Sequence, residues 1–526
     1  MSADNLGRYV TLQMAKGALP SELLQINLCT PAEGHHSCAT GFSHRMALLY
    51  RIRTHFVGRV ATLALATAFS VILSLALLPL ATRVLQASDY GIYALLMSIV
   101  TLVSTAMDGG ASLLLPARYG PAFASERGQI FVSVALLAGV GASIVGLFLA
   151  SLWIWQHRVF SNQTIPLVTI AITAIIIPMR AVTGISITAF SVTGRSLAIA
   201  AQMAGQAVLV FLGTLVALFG FSMGGVSLFI GATCGQFAAL CVCLLVLWYH
   251  NELSSPSRHW FRHAMTSAPT TGAAGFMDGA RGFGENAMLA GASGLHAAGI
   301  LSHARLYYNL LMTLSGTVAH NVWAKALEDA RDPLSNFNTT KRAWAPVQIA
   351  VSCAGIIFVF LGREIVDIIS NGKLTEAASY IPVLVIIVLI QIAEQPATAI
   401  VYASGRAGLA TWFRTIMAFG SLVVLYPIIV LFGIKGILAV GIVEAAAYRL
   451  YLRILASRER NVPFQDEIAF FGCLAVIAAM AYMHLAMPPL GIQLALMGAG
   501  IVMIALVGRR SIGEMVTVAR QIMFGR

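Results

Sequence analysis

Apolar runs of roughly 18 to 25 residues recur along this chain from Val57 to its end, each long enough to cross about 30 Å of hydrocarbon as a helix. No other feature narrows the fold so far. In lipid a backbone N–H or C=O has no water to pair with. A spanning segment must therefore satisfy its own hydrogen bonds as a helix, or close into a barrel. The alternation of a barrel strand is absent, so the expectation is an all-α, polytopic membrane protein. Composition agrees: hydrophobic residues make up 58% of the chain and charged residues 10%, with mean hydropathy +0.82. A soluble domain carries about twice that charge.

About 14 spans are expected, near residues 57–82, 91–115, 130–154, 165–188, 197–219, 223–248, 264–291, 297–323, 345–362, 378–403, 410–432, 434–455, 465–484 and 489–508. An internal repeat organises them. Ser191-Val192-Thr193-Gly194-Arg195 followed by an apolar run to Phe219-Gly220 is echoed by Tyr402-Ala403-Ser404-Gly405-Arg406 and a run to Phe432-Gly433. A fainter match joins Asp89-Tyr90-Gly91-Ile92 to Ala298-Gly299-Ile300-Leu301. The offsets drift from about 208 to about 213 residues, as a duplication with small insertions would leave them. The domains expected are a tail over 1–56, a first six-helix lobe over 57–249, and a second over 250–460. Residues 461–526 then supply two further helices and a C-terminal tail. Two equivalent membrane lobes imply a site at their interface and a rocking transport cycle. The first 45 or so residues lack a signal-peptide pattern; they are either a cytoplasmic tail or an over-long start, with Met46 the true one.

The net charge of +12 and pI near 9.6 would suit nucleic acid, but placement argues for membrane orientation instead. Arg45, Arg127, Arg195, Arg258, Lys341, Arg406, Arg453 and Arg509 fall in connections on one side. The other side holds only Arg83, Arg158, Arg363, Lys373 and Lys435. Under the positive-inside rule both termini are cytoplasmic, and no nucleic-acid partner is expected. The seven cysteines have no metal-ligand or disulfide spacing, and no metal is expected. Phosphate-binding loops, zinc-protease motifs and hydrolase elbows are absent, which argues against an enzyme.

Chemistry is left to ionisable residues inside spans, each costing about 2.5 to 3.5 kcal/mol at a helix centre unless it faces a partner or water. The seventh span carries Asp278, Arg281 and Glu285, spaced to share one helical face. Its glycines Gly275, Gly279, Gly282 and Gly284 predict a loose or broken helix. The eighth adds His303, Arg305, Tyr307 and Tyr308; the fourth adds Arg180 after Pro178; the tenth adds Gln391 and Glu394. Arg83, Arg414 and Arg449 lie near span ends, where such side chains snorkel to water. Arg180, Arg281 and Arg305 together would make a cationic cavity suited to phosphate, which guanidinium binds bidentately.

The stretch Leu78-Pro79-Leu80-Ala81-Thr82-Arg83, then Asp89-Tyr90-Gly91-Ile92-Tyr93, then Asp108-Gly109-Gly110 and Arg118-Tyr119 resembles the opening of the polysaccharide-biosynthesis transporters. These are O-antigen and exopolysaccharide flippases of the multidrug/oligosaccharidyl-lipid/polysaccharide (MOP) exporter superfamily. The Gly194-Arg195 and Gly405-Arg406 turns resemble theirs as well. The resemblance implies an inner-membrane flippase with an undecaprenyl-diphosphate-linked oligosaccharide as substrate. It implies two six-helix lobes with two extra helices, and alternating access driven by a proton or sodium gradient with no bound cofactor. A polysaccharide polymerase and glycosyltransferases are the implied partners beside the lipid bilayer. On that reading Arg180, Arg281, Arg305, Tyr307 and Gln391 bind diphosphate and sugar, while Asp278, Glu285 or Glu394 couple to the ion. The chain departs from the family where Asp278 leads into Gly and Arg. A cation-coupled multidrug exporter, a lipid II flippase and a membrane glycan polymerase or ligase are the alternatives.

Overall fold

The computed structural model describes residues 62–63, 65–108, 115, 119, 122–159, 167–331, 338–404, 406–459 and 490–507, with single positions at 472, 475, 476 and 479. Arg118, Gly405, the side chain of Asp108, both terminal tails and most of the thirteenth expected span lie outside the described residues.

Every long element is a helix, and there is no strand among the described residues. They are α1 (Leu65–Val84), α2 (Ala87–Asp108), α3 (Ala124–Val159), α4 (Leu167–Val192), α5 (Ser196–Leu215), α6 (Val226–Tyr249), α7 (Arg258–Arg331), α8 (Asn338–Ser370), α9 (Ile381–Ala403), α10 (Ala407–Glu459) and α11 (Leu490–Val507). Among the described residues nine helices are long and apolar enough to cross a membrane, and one of them, Gly408–Arg458, has the length of two spans. The all-α, polytopic expectation holds. Large apolar side chains on the outside, such as Ile72, Leu197 and Leu245, are what a surface bathed in lipid carries.

Two helices fold back on themselves. α7 leaves helical geometry at Gly294 (φ 86°, ψ 166°) and α10 at Gly433 (φ 56°, ψ −134°). Positive φ is a conformation that glycine adopts without steric cost, so each glycine marks where one span reverses into the next. The break in α7 is therefore not where the glycine cluster at 275–284 predicts it. Gly275 and Gly279 are helical, and their lack of a side chain serves close packing instead. A Cβ at Gly275 would stand 2.6 Å from the Thr105 carbonyl oxygen of α2, and one at Gly279 2.5 Å from the Leu102 Cα.

α2 presses backbone to backbone against α7 at two places. Near the Gly294 reversal a Cβ on Gly91 would collide with the Leu295 carbonyl, and one on Gly299 with the Ala87 carbonyl. Gly91 and Gly299 are the two glycines that the fainter repeat places in register, and they lie against each other. Toward the opposite end, Thr105 Oγ1 donates to the Gly275 carbonyl at 3.1 Å. Beside the Gly91–Gly299 contact, α1 meets α8 and the loop after it. Thr82 Oγ1 donates to the Ile369 carbonyl at 2.7 Å, and Lys373 Nζ to the Arg83 carbonyl at 2.9 Å.

The buried apolar residues fall into clusters. One draws only on residues 63–264 and another, including Ile504 of α11, on residues 307–504. A third joins Ala81, Leu85 and Tyr90 to Leu289, Leu301, Leu384 and Leu438, and so ties the early helices to the late ones.

Candidate functional site: a mixed-charge cavity between α7, α9 and α10

A cavity of about 320 Å³ opens where α7, α9 and α10 diverge. Its charged lining is Asp278, Arg281, Glu285 and Arg305 from α7, Glu394 from α9, and Arg414 and Glu444 from α10. The spacing of 278, 281 and 285 puts these three on one face of α7, as the sequence requires. The reversal at Gly294 then returns Arg305 alongside them. Pro396 in α9 and Pro427 in α10 are accommodated inside helices.

The ions are interlocked. Arg281 Nε donates to Glu285 Oε1 at 3.0 Å, while its Nη1 stands 2.6 Å from Glu444 Oε2. That second contact is an ion pair without an aligned hydrogen bond, because Glu444 Oε2 has no hydrogen-bond partner among the described residues. Arg305 holds the other oxygen of Glu285 and reaches Asn286 Oδ1 at 3.4 Å. Glu285, 4% exposed, is thus gripped from both sides. Arg414 forks onto Asp278, with Nε to Oδ1 at 3.1 Å and Nη2 to Oδ2 at 2.9 Å. Tyr308 Oη donates to Gln391 Oε1 at 2.6 Å. Glu394 is buried, and its Oε2 has no hydrogen-bond partner among the described residues.

Six of the residues given a binding or coupling role from sequence therefore line one cavity: Asp278, Arg281, Glu285, Arg305, Gln391 and Glu394. Arg180 and Tyr307 are not brought there. Arg180 faces Tyr93 of α2 from α4, and has no ion pair among the described residues. Tyr307 is 1% exposed and packs edge-on against His303 and Phe358. Its neighbour Tyr308, about 100° further round the helix, takes the place in the cavity expected of Tyr307. Arg414 and Glu444, noted in the sequence as charged residues of later spans but given no binding or coupling role, line the cavity too. Arg414 does not snorkel to a span end but reaches inward to Asp278, because α10 packs beside α7. The cavity is not purely cationic either, since three guanidiniums face four carboxylates.

A second charged cluster sits among loops at the opposite end from Lys373. Glu252, after α6, is 1% exposed. It takes two hydrogen bonds from Arg195 at 2.7 and 2.6 Å and one from Tyr119 Oη at 2.8 Å, with Arg127 Nη1 at 3.8 Å. Burial pushes the Glu252 carboxyl up, but the Arg195 and Tyr119 hydrogen bonds and the Arg195 and Arg127 charges outweigh it. The group is held below the ordinary carboxylate range. Gly194 (φ 70°) makes the turn that presents Arg195, which accounts for the Gly-Arg motif in its first copy. Arg406 of the second copy is exposed. Of the remaining motif residues, Arg83 is exposed, while Asp89 accepts the Gln86 N–H at 2.8 Å and closes the turn into α2. Groups of three or more metal-ligating side chains are absent among the described residues.

The fold is that of solved transporters of the MOP superfamily. The lipid II flippase MurJ in an inward closed conformation superposes with TM-score 0.60 at 14% identity, over 86% of this chain and 99% of that one. An inward-facing multidrug-resistance MATE transporter gives 0.53 at 13% identity, covering 74% and 95%. A MOP-superfamily transporter from Pyrococcus furiosus, described as having a binding pocket of reverse polarity, gives 0.53 at 12%, covering 78% and 97%. No family model and no curated protein matches the sequence.

Proposed function

We propose that this multi-pass membrane protein is an alternating-access flippase for a lipid-linked, diphosphate-bearing glycan precursor, serving surface polysaccharide assembly from the inner membrane. The observation that carries the reading is the convergence of Arg281, Arg305 and Arg414 on one cavity, each held by a carboxylate rather than locked in apolar packing. A diphosphate presents the same bidentate acceptor geometry to guanidinium as a carboxylate does. It can therefore take over Arg281 and Arg305 from Glu285 and Glu444. The carboxylates so released gain a reason to bind protons, which couples substrate entry to an ion gradient. Glu394, already short of a partner, is the other proton acceptor. Asn309, Gln391 and Tyr308 supply neutral hydrogen-bonding groups for sugar hydroxyls. The lipid chain stays in the bilayer between the helices. Both termini are cytoplasmic on this reading, where glycosyltransferases deliver the substrate; a polymerase consumes it outside.

A titrated excess of carboxylate favours one other reading. Four acids against three arginines would also accept an organic cation, as a MATE-type exporter requires. Deletion of the gene separates the two. Loss of surface glycan with accumulation of undecaprenyl-linked single repeat units on the cytoplasmic side supports the flippase. Unchanged glycan with heightened sensitivity to cationic compounds moves the assignment to drug export. Lethality with accumulating lipid II moves it to peptidoglycan.

A further inference from the structure

Three buried polar side chains at the seam between α2 and α7 take no part in the cavity. Tyr90 of α2 is 5% exposed, and His303 and Tyr307 of α7 are 0% and 1% exposed. Their rings stack edge to face in a row, with centroids 6.2 Å apart for Tyr90–His303 and 5.8 Å for His303–Tyr307. Both ring nitrogens of His303, the Tyr90 hydroxyl and the Tyr307 hydroxyl lack a hydrogen-bond partner among the described residues. Buried polar atoms in native structures are nearly always paired. Four such atoms in one row mark a place built for a small polar occupant.

The position is informative too. Tyr90 precedes Gly91, and His303 lies one helical turn from Gly299, so the row sits directly beneath the Gly91–Gly299 contact. The Thr82–Ile369 and Lys373–Arg83 bonds close the same end. A neutral imidazole tolerates such a site, whereas an imidazolium there brings a buried charge with no carboxylate in hydrogen-bond contact among the described residues.

We propose that His303, sealed neutral between Tyr90 and Tyr307, is a proton acceptor that takes its proton when α2 and α7 part at the Lys373 end. The proposal rests on alternating access but is independent of the glycan substrate. Since the proton is bound only in the parted state, acid favours parting. The charge distribution of the sequence puts this end outside, so the proton enters from there.

The elements that close this end carry charge of both signs. α2 carries Asp89 beside Tyr90. α8 carries Glu364, one of whose buried oxygens has no hydrogen-bond partner among the described residues, and Asp367, which accepts from Thr375 Oγ1. The short helix Thr375–Tyr380 adds Glu376 and Tyr380, and the loop before it Lys373. A second cavity at this end holds His296, Glu376, Tyr380 and Lys435, so His296 is the control.

The test uses the full chain in lipid vesicles, with native cysteines replaced and spin labels at exposed Val84 of α1 and Ile368 of α8. Between about pH 8 and about pH 5 the longer-distance population should rise several-fold. His303→Gln should abolish the rise and His296→Gln should leave it. Pure wild type gives a second reading through hydrogen exchange mapped by mass spectrometry. Backbone amides around Gly91 and Gly299 should exchange faster, relative to their intrinsic rate at each pH, once acid has parted α2 from α7. A distance that ignores pH overturns the proposal and leaves the row holding water alone. A response that survives His303→Gln, or seam exchange that shows no gain in acid, overturns it as well. Glycan transport is read separately. Acid-driven opening in a protein that moves no glycan would keep the proton site and reject the substrate, and pH-blind glycan transport the reverse.

Discussion

Two carboxylates in this protein are each gripped by arginines, and they differ in what is left over. Glu252 has both oxygens taken up by Arg195 and one shared with Tyr119. It sits closed among loops, 1% exposed. Glu285 is gripped as firmly by Arg281 and Arg305, but its surroundings are unfinished. Glu444 has an unaligned oxygen, Glu394 an unpartnered one, and the whole group faces about 320 Å³ of open space. A saturated ion cluster has no bonds to offer and so serves to hold loops together. An unsaturated one beside a cavity can exchange partners, which is what binding requires. Charge alone does not separate the two; completeness of hydrogen bonding does.

The largest expected effect comes from emptying the unsaturated cluster. Arg281→Ala should lower transport by about 100-fold, equivalent to about 3 kcal/mol for a stripped charge pair, while the protein remains abundant in membranes. Export at the normal rate would remove Arg281 from the site.

Emptying the saturated cluster should do the opposite. Glu252→Ala leaves Arg195 without its partner and should cost about 3 kcal/mol of stability, read as a lower unfolding temperature in detergent. The pH dependence has a definite sign. The folded carboxyl titrates below its unfolded value of 4.5, so its stabilisation is complete above that pH and is lost as pH falls through the folded value. The gap in unfolding temperature between wild type and Glu252→Gln should therefore be full above about pH 4.5, narrow below it, and close once pH falls under the folded value.

Gly91→Ala tests neither cluster but the seam between them. A methyl group against the Leu295 carbonyl should cost about 1 to 3 kcal/mol in overpacking, measured by the same thermal assay, with Gly299→Ala matching it. Tyr308→Phe removes one neutral hydrogen bond in the cavity and should reduce transport about fivefold, the equivalent of about 1 kcal/mol. Smallest of all is Arg414→Ala. Arg414 and Asp278 are 54% and 37% exposed, and such pairs contribute about 0.5 kcal/mol or less. Its unfolding temperature should stay at the wild-type value, and a clear drop would mean that the pair is a second structural clasp.

Much of this was legible in the chain. Apolar run length located most of the described helices, because a span must match the bilayer; α7, rich in glycine and polar residues, is not among those apolar enough to cross by length and composition. Offsets of 3 and 4 placed Asp278, Arg281 and Glu285 on one face, because helix periodicity is local. Gly91 and Gly299 were legible as a repeat pair, although not as partners. Other features were closed to sequence reasoning. Tyr307 and Tyr308 look equivalent on paper, and which of them meets the cavity depends on whether α8 or α9 and α10 lie across from each. Arg414 looked like a residue reaching for water until α10 packed beside α7. The glycines of α7 resembled a hinge, since nothing local shows that α2 fills their groove.

The sequence by itself determined that this chain lives in lipid as a bundle of helices, and which helix faces carry charge, because burial of the backbone in hydrocarbon and helix periodicity act within a single segment. Only the tertiary structure decided which charges complete one another and which stay unsaturated around a cavity. Hydrogen bonds and ion pairs act over a few ångströms between segments far apart in the chain, and their partners exist only once the helices have packed.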